Sequence, residues 1–546
     1  MFPRSIRDKI VEHTPKLNPS LANGVAIEHV NGTINGYTRN VEHYIDQIMK
    51  SAFDGFMPGF EYVGFRRTTP VEEFREITKK RNSSKSTIDV ARHDAYMVEY
   101  KFRYEGANIS KFIYLPFIGD AGTIYISGSR FVISPILSDR VISVGLNNAF
   151  VRLLKAKLTF NRLSHYFIAN GVRENVQVAW SEIYNDKAAS TIRVKRTVNG
   201  SCTLAHYLFC KYGLDETFKK FGSCTPVVGN AQTITEQHYP IDQWVICHSS
   251  GVKPKGFGRS FYEQSELFVA IRKEEYTPMV KNLLGGLFYC TDHFPSRIRP
   301  EYVNSTRLWM ILLGHLIWSG NIGEGKLYND VADHIASLDE YIDNLLTANL
   351  RDIGYDCPDF YTLLAIIIHE FNDWLLTSDD RVNTMYNKEL SVLYYVCYDI
   401  TSAIFKLYFK LKAAQKKQLN EKKIVKIMTT ILKPGLIFRL SKDHGEVSTT
   451  TASGDNKALK LTTILVPQSS SSRNRSRKDK KAISDPTNRL HASVAEVGGY
   501  ANLPKSDPTG HSRLNLCLQI EPNGVVKRDP KFTQLIDSVQ TAFKRS

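Results

Sequence analysis

The sequence has no C-x-x-C pair among its eight cysteines, Cys202, Cys210, Cys224, Cys247, Cys290, Cys357, Cys397 and Cys517. A zinc ribbon needs such pairs, because one tight turn must present two thiolates at tetrahedral angles. The cysteines therefore read as reduced, partly buried small hydrophobes, which suits a cytoplasmic compartment. Long apolar runs are also missing. The longest, Leu308 to Trp318, carries His315 and is too short to span a bilayer. The N-terminal MFPRSIRDKIVEH lacks the apolar centre of a signal peptide, so the reading is a soluble chain with no membrane partner. No G-x-S-x-G elbow occurs, and His369-Glu370 lacks the second histidine that a zincin places four residues on. No D-x-D-G-D cluster occurs, so no two-metal site for nucleotidyl transfer can be assigned. Asp339, Glu340 and Asp343 stand at helical spacing and read as a solvated first turn of a helix. The stretch GNIGEGKL, 320–327, falls one residue short of a Walker A loop. Gly320, Gly325 and Lys326 have the right spacing, but Leu327 stands where a hydroxyl must ligate magnesium. Glycines in a polar turn after an apolar run account for it.

The chain is long enough for three or four domain-sized units, at 546 residues, and its 42% hydrophobic and 23% charged content can bury a large core. The net charge is +16. Such a balance favours an acidic partner, most commonly nucleic acid, or a place beside acidic subunits in a complex.

Periodicity predicts mixed helix and strand. Residues 37–60 read as an amphipathic helix ending near Pro58-Gly59. From Ala95 the pattern alternates with period two through AYMVEYKFRYEG. TIYIS and RFVIS, separated by Gly128-Ser129, read as a hairpin, with a further turn at 119–122 and Pro135 limiting more pairing. Residues 146–375 alternate short helical and strand-like pieces, with a Gly/Pro cluster at 249–259 and an apolar helix from Tyr361 to Leu375. Over 388–418, Leu390, Leu393, Val396, Ile400, Ile404, Leu407 and Leu411 recur at three and four, which predicts one long helix. Its lysines, Lys406, Lys410, Lys412, Lys416 and Lys417, read as a solvated face. Residues 445–480 are low in complexity and read as flexible connectors. Within them and just after, Arg473, Arg475, Arg477, Lys478, Lys480 and Lys481 would release counterions from a phosphate backbone, or form a solvated basic loop. The end, FTQLIDSVQTAFK, reads as a helix.

Four blocks carry a resemblance. GTIYISGSRFVISPI, from Gly122, resembles the Gly-Thr-Phe-Ile-Ile-Asn-Gly-Thr-Glu-Arg-Val motif of the β subunit of multisubunit RNA polymerases, and YLPFIGDAG looks like the strand leading into it. RVNTMYNKELSVLYYVCYDITSAIFKLYFKL, from Arg381, is similar to a β-subunit helix that runs through a Glu-Leu pair. ISDPTNRLHASVAEVGG, from Ile483, is similar to the Leu-Ser-Glu-Ile-Thr-His-Lys-Arg-Arg-Ile-Ser-Ala-Leu-Gly-Pro-Gly-Gly stretch of the fork. DPTGHSR, from Asp507, and IEPNG, from Ile520, resemble the His-Pro-Ser-His-Tyr-Gly-Arg and Pro-Glu-Gly-Pro-Asn segments. The order of the blocks carries the resemblance. Leu490 and His491 stand where the family has its two arginines, Asn488 replaces a histidine, and Pro-Glu-Gly-Pro is shortened to Glu521-Pro522-Asn523-Gly524. These departures imply an altered rifamycin pocket.

The resemblance implies the N-terminal half of a split β subunit, of the type found in large-genome bacteriophages, and an α+β multidomain fold. A protrusion-like domain would be built from 1–145 and 376–450, with a lobe-like domain inserted at 146–375. A fork-like region with a flexible basic loop would follow at 451–546. The flap, the lysines that hold RNA near the active site and the clamp connections would lie on another polypeptide, since few residues follow the last block before Ser546. The implied partners are a β C-terminal half, β′-like chains, the DNA template and the RNA product. No catalytic residue is expected here, and Mg2+ is expected only on a partner subunit. Lys478, Lys480, Lys481, Arg489, His491, Ser493, Arg513, Glu521 and Asn523 would lie near nucleic acid. Arginine would contact phosphate, and Ser493 and Asn523 would hydrogen-bond backbone. The setting would be host cytoplasm or virion. The competing class is a basic phage structural or DNA-packaging protein.

Overall fold

The computed structural model describes residues 37–81, 94–117, 123–126, 128–133, 136–144, 148–153, 157–181, 202–251, 265–317, 322–376, 382, 384–391, 397–415, 419–432, 449–451, 465–467, 511–513, 519–520, 525–527 and 534. The fold is α+β, with the chain in two compact units. Unit 1 comprises Met1–Arg140, Thr384–Ile483 and Leu490–Ser546, and unit 2 comprises Val141–Asn383 and Ser484–Arg489.

Unit 1 begins with α1 (Tyr37–Phe53), β1 (Phe60–Arg67), α2 (Pro70–Arg81), β2 (Ala95–Tyr104) and β3 (Ala107–Pro116), then the short strands β4 (Thr123–Ile126), β5 (Ser129–Ile133) and β6 (Ile136–Asp139). The helix expected over 37–60 stops at Phe53. Gly55 and Gly59 have φ of +62° and +76°, which reverse the chain so that Phe60 can open β1. α2 starts in a capping box. The Thr69 hydroxyl accepts from the Glu72 amide at 3.3 Å while the Glu72 carboxylate accepts from the Thr69 amide at 2.8 Å. β1, β2 and β3 form an antiparallel sheet. Phe53 of α1 meets Phe60 and Phe102 at ring separations of 5.5 and 5.6 Å. The β4–β5 hairpin forms as its pattern predicts, with Gly128 at φ +80°.

Unit 2 follows with β7 (Ile142–Val144), β8 (Asn148–Arg152), β9 (Lys157–Ala169), β10 (Val172–Ser181), α3 (Leu204–Thr217), β11 (Val227–Gly229), β12 (Trp244–Ser249) and β13 (Phe268–Arg272). The helices α4 (Pro278–His293), α5 (Thr306–Ile317), α6 (Glu324–Ser337), α7 (Asn344–Asp352) and α8 (Phe360–Leu376) complete it. Its sheet runs β11-β13-β12-β9-β8-β7, and β10 pairs the long strand β9. One large apolar core holds Trp309 and Trp374, both fully buried, with Phe209, Phe288 and Phe167. Gly213 bends α3 with φ +76°, and a Cβ there would meet the Asn304 carbonyl at 2.9 Å. The predicted helix from Tyr361 to Leu375 is α8, whose apolar positions enter this core.

Unit 1 resumes with β14 (Lys388–Ser391), α9 (Tyr398–Gln415), α10 (Glu421–Ile431), β15 (Thr449–Thr451), β16 (Leu465–Pro467), β17 (His511–Arg513), β18 (Gln519–Ile520) and β19 (Val526–Lys527). Two expectations change here. The single helix over 388–418 divides, because residues 388–391 pair antiparallel with β6 and an ion pair joins Lys388 to Asp139. Backbone pairing with a strand distant in sequence overrides the helical periodicity there. The connector over 445–480 contains β15, where three β-branched threonines add to β5 as the third strand of the hairpin sheet. Within α9, Lys406 and Lys410 are exposed as the solvated-face reading expects, and Lys412 is half-buried.

Candidate nucleic-acid interface

Of the residues expected near nucleic acid, Arg513 falls in described backbone, where it pairs with Leu465 in the β16–β17 ladder. Lys478, Lys480, Lys481, Arg489, His491, Ser493, Glu521 and Asn523 lie outside the described residues, as do the 473–481 basic cluster, the 119–122 turn and Cys517. The terminal segment expected to be helical does too, apart from Gln534.

The segment resembling a Walker loop takes another form. Gly323 precedes α6, so Gly325 and Lys326 occupy its first turn and Leu327 is buried against Gly314 of α5. A phosphate-binding loop links a strand to a helix, whereas here the preceding described element is the helix α5. Asp343 caps α7, accepting from the Leu346 amide at 2.8 Å, and Asp339 accepts from the Phe360 amide at 3.2 Å. These carboxylates therefore hold helix starts in place. His369 and Glu370 pair with each other at 3.1 Å on the exposed side of α8. All seven described cysteines are free and buried, and burial pushes the Cys202 and Cys397 thiols up to about 12, so they are protonated at neutral pH. Among the described residues, no group of three or more His, Cys, Asp or Glu side chains could hold a metal ion. No described helix is long and apolar enough to cross a membrane.

A buried polar centre in unit 2 went unseen in the sequence. Asp292, near the end of α4 and fully buried, accepts a short hydrogen bond from the Ser249 hydroxyl and lies 3.1 Å from Nε2 of His165 on β9. Ser249 Oγ also accepts from the Gly251 amide at 3.0 Å. The carboxylate thus stands between serine and imidazole. A catalytic triad instead puts the imidazole between the other two. Here the hydroxyl proton is held by the carboxylate, and the group ties β9, β12 and α4 together. His293 beside it bonds through Nδ1 to the Tyr289 carbonyl at 2.8 Å, and burial lowers its pKa. Residue separations of 43 and more leave no local spacing that would reveal this centre.

In unit 1 a basic face builds up around α10. Asn420 caps the helix, accepting from the Lys423 amide at 2.9 Å. Ile424, Met428 and Ile431 are buried, which turns Lys422, Lys426 and Thr429 outward on one stripe. An open cleft of about 470 Å³ is lined, among the described residues, by Glu421, Lys422, Val425, Lys426, Thr429 and Thr430. From β3, the half-buried Lys111 donates to Thr429 Oγ1 at 2.6 Å.

A model of the family described as non-virion RNA polymerase subunit matches residues 11–541, nearly the whole chain. The chain therefore belongs to that family. It is a subunit of a phage RNA polymerase, serves transcription and works with partner subunits. The non-virion description sets its work in the infected cell and weighs against the virion setting. No curated protein matches the chain.

Proposed function

We propose that this subunit is the N-terminal half of a split β-type chain and forms part of the channel that holds DNA and the RNA–DNA hybrid. Residues 1–145 and 376–450 would serve as the protrusion, 146–375 as the inserted lobe, and 451–546 as the fork. The observation that carries the reading is the pairing of β6 with β14. It joins the two portions of unit 1 across the inserted sequence, with Asp139 and Lys388 standing 249 positions apart. The β4–β5 hairpin, at the first block of resemblance, supports it further.

In this role Arg489 and Arg513 contact phosphate, and Lys478, Lys480 and Lys481 add sequence-independent attraction. His491 and Glu521 lie beside the hybrid, and Ser493 and Asn523 hydrogen-bond its backbone or support the loop. In this role the catalytic Mg2+ would be held by a β′-like partner. The test is affinity purification of tagged chain from infected cells. A β C-terminal half and β′-like chains should accompany it, and transcription should require all of them together. Recovery of the chain without such partners would overturn the reading.

A further inference from the structure

Lys111 of unit 1 has a hydroxyl, and no carboxylate, as its described partner. It is half-buried, and burial lowers its pKa with no opposing contribution from a carboxylate. Its described partner is a neutral hydroxyl, Thr429 Oγ1. That hydroxyl already donates its proton to the Val425 carbonyl at 2.7 Å, and Thr430 does the same to Lys426. An ammonium withdrawn from water without a counter-charge is unfavourable unless an anion completes it. The same stripe carries Lys422 and Lys426, both exposed and in no ion pair among the described residues. Lys422 and Lys426 thus line the cleft with one carboxylate, Glu421, and Lys111 adds a third ammonium group through its bond to the lining residue Thr429.

The geometry points to this face as a binding site for the phosphate backbone of duplex nucleic acid, formed by Lys422 and Lys426 of α10 with Lys111 of β3. Lys422 and Lys426 are separated by about 6 Å of helical rise. Alternate phosphates of one strand lie about 7 Å apart along a duplex axis. The stripe has no aromatic side chain, since α10 reads EKKIVKIMTTI. Single-strand binders stack bases on exposed rings, so the occupant is a duplex. The contact reads no sequence, because the face offers only charge. This deepens the polymerase reading, on which it rests, by adding a backbone grip on unit 1 formed by residues other than the fork-like ones.

The test uses the full chain and a labelled mixed-sequence DNA duplex, with anisotropy titrations across a salt series. Lys422→Gln/Lys426→Gln should reduce the slope of log affinity against log salt by about 1.8 and weaken binding about tenfold or more at 0.1 M salt. Lys111→Met should reduce the slope by about a further 0.9. Lys219→Gln, an exposed lysine of unit 2, serves as the control and should change neither. Because Lys422 and Lys426 are exposed, their variants should keep the wild-type thermal transition. An unchanged slope in the double variant would overturn the proposal, and so would tighter binding of a poly-dT strand that the same variant weakens. The purification of partner chains is independent of this outcome. Failure of the backbone site with partners retained, or partners lost with the site intact, separates the two readings.

Discussion

Unit 2 and unit 1 are held together by different means. Unit 2 surrounds one large apolar core, and it buries a small polar group, Ser249–Asp292–His165, within the fold. Unit 1 combines an aromatic cluster around Phe53 and Phe102 with ion pairs that cross its elements. Arg66 bridges Glu72 of α2 and Glu99 of β2 at 2.8 and 2.5 Å, and Arg67 holds the buried Glu42 of α1 at 2.5 Å. The contrast teaches where charge has been placed. Unit 2 places charged and polar side chains inside its fold, whereas unit 1 carries the exposed Lys422 and Lys426 at an open cleft.

The sharpest way to break the contrast is to open the apolar core. Trp309 is fully buried, and its indole donates to the Val303 carbonyl at 2.7 Å. Trp309→Ala should cost about 3–5 kcal/mol. Hydrogen exchange followed by mass spectrometry should show the loss in α3, α5 and α8, with the β1–β3 sheet unaffected.

Acid should separate the units next. In unit 2 burial lowers His206 and His334 from 6.5 to about 4. A folded state that keeps these rings neutral binds fewer protons than the unfolded chain. Their contribution is present above pH 6.5 and is lost as pH falls toward 4, by on the order of 3 kcal/mol for each ring. In unit 1 the hydrogen bonds from Arg66 hold Glu72 at about 2 against an ordinary 4.5. Its contribution is present above 4.5 and is lost as pH falls to 2. Exchange in α3 and α6 should therefore accelerate between pH 6.5 and 4, while α2 loosens only below 4.5. His334→Leu should roughly halve the first transition, leaving the part due to His206, and Glu72→Gln should remove the second.

The smallest effect sharpens the comparison at a helix start. Asn420→Ala should destabilise α10 by about 1 kcal/mol, because the Lys423 amide loses its acceptor. Circular dichroism melts should shift by a few degrees at most, and duplex binding should weaken in step if the orientation of α10 sets the lysine stripe.

How much was legible in the sequence differs by element. The β2–β3 strands, the Gly128 hairpin and α8 carry their own periodicity, and each forms where that pattern places it. The segment from Lys388 also carries helical spacing, yet it pairs with β6, because an open strand edge offers four residues of backbone partners. The threonines at 449–451 sit in a low-complexity stretch, and only the neighbouring β5 makes them a strand. The Asp292 centre and the Lys111–Thr429 contact join residues 43 to 318 positions apart, so no local window contains either.

By itself the sequence determined the basic charge, the α+β alternation and the ordered blocks that resemble a polymerase β subunit. Those properties follow from composition and short-range spacing, which survive in any conformation of the chain. The tertiary structure alone decided which carboxylates cap helices, which close a buried network, and which lysines remain without a counter-charge. Compensation of a charge depends on what long-range packing brings within a few ångströms, and that distance has no image in linear order.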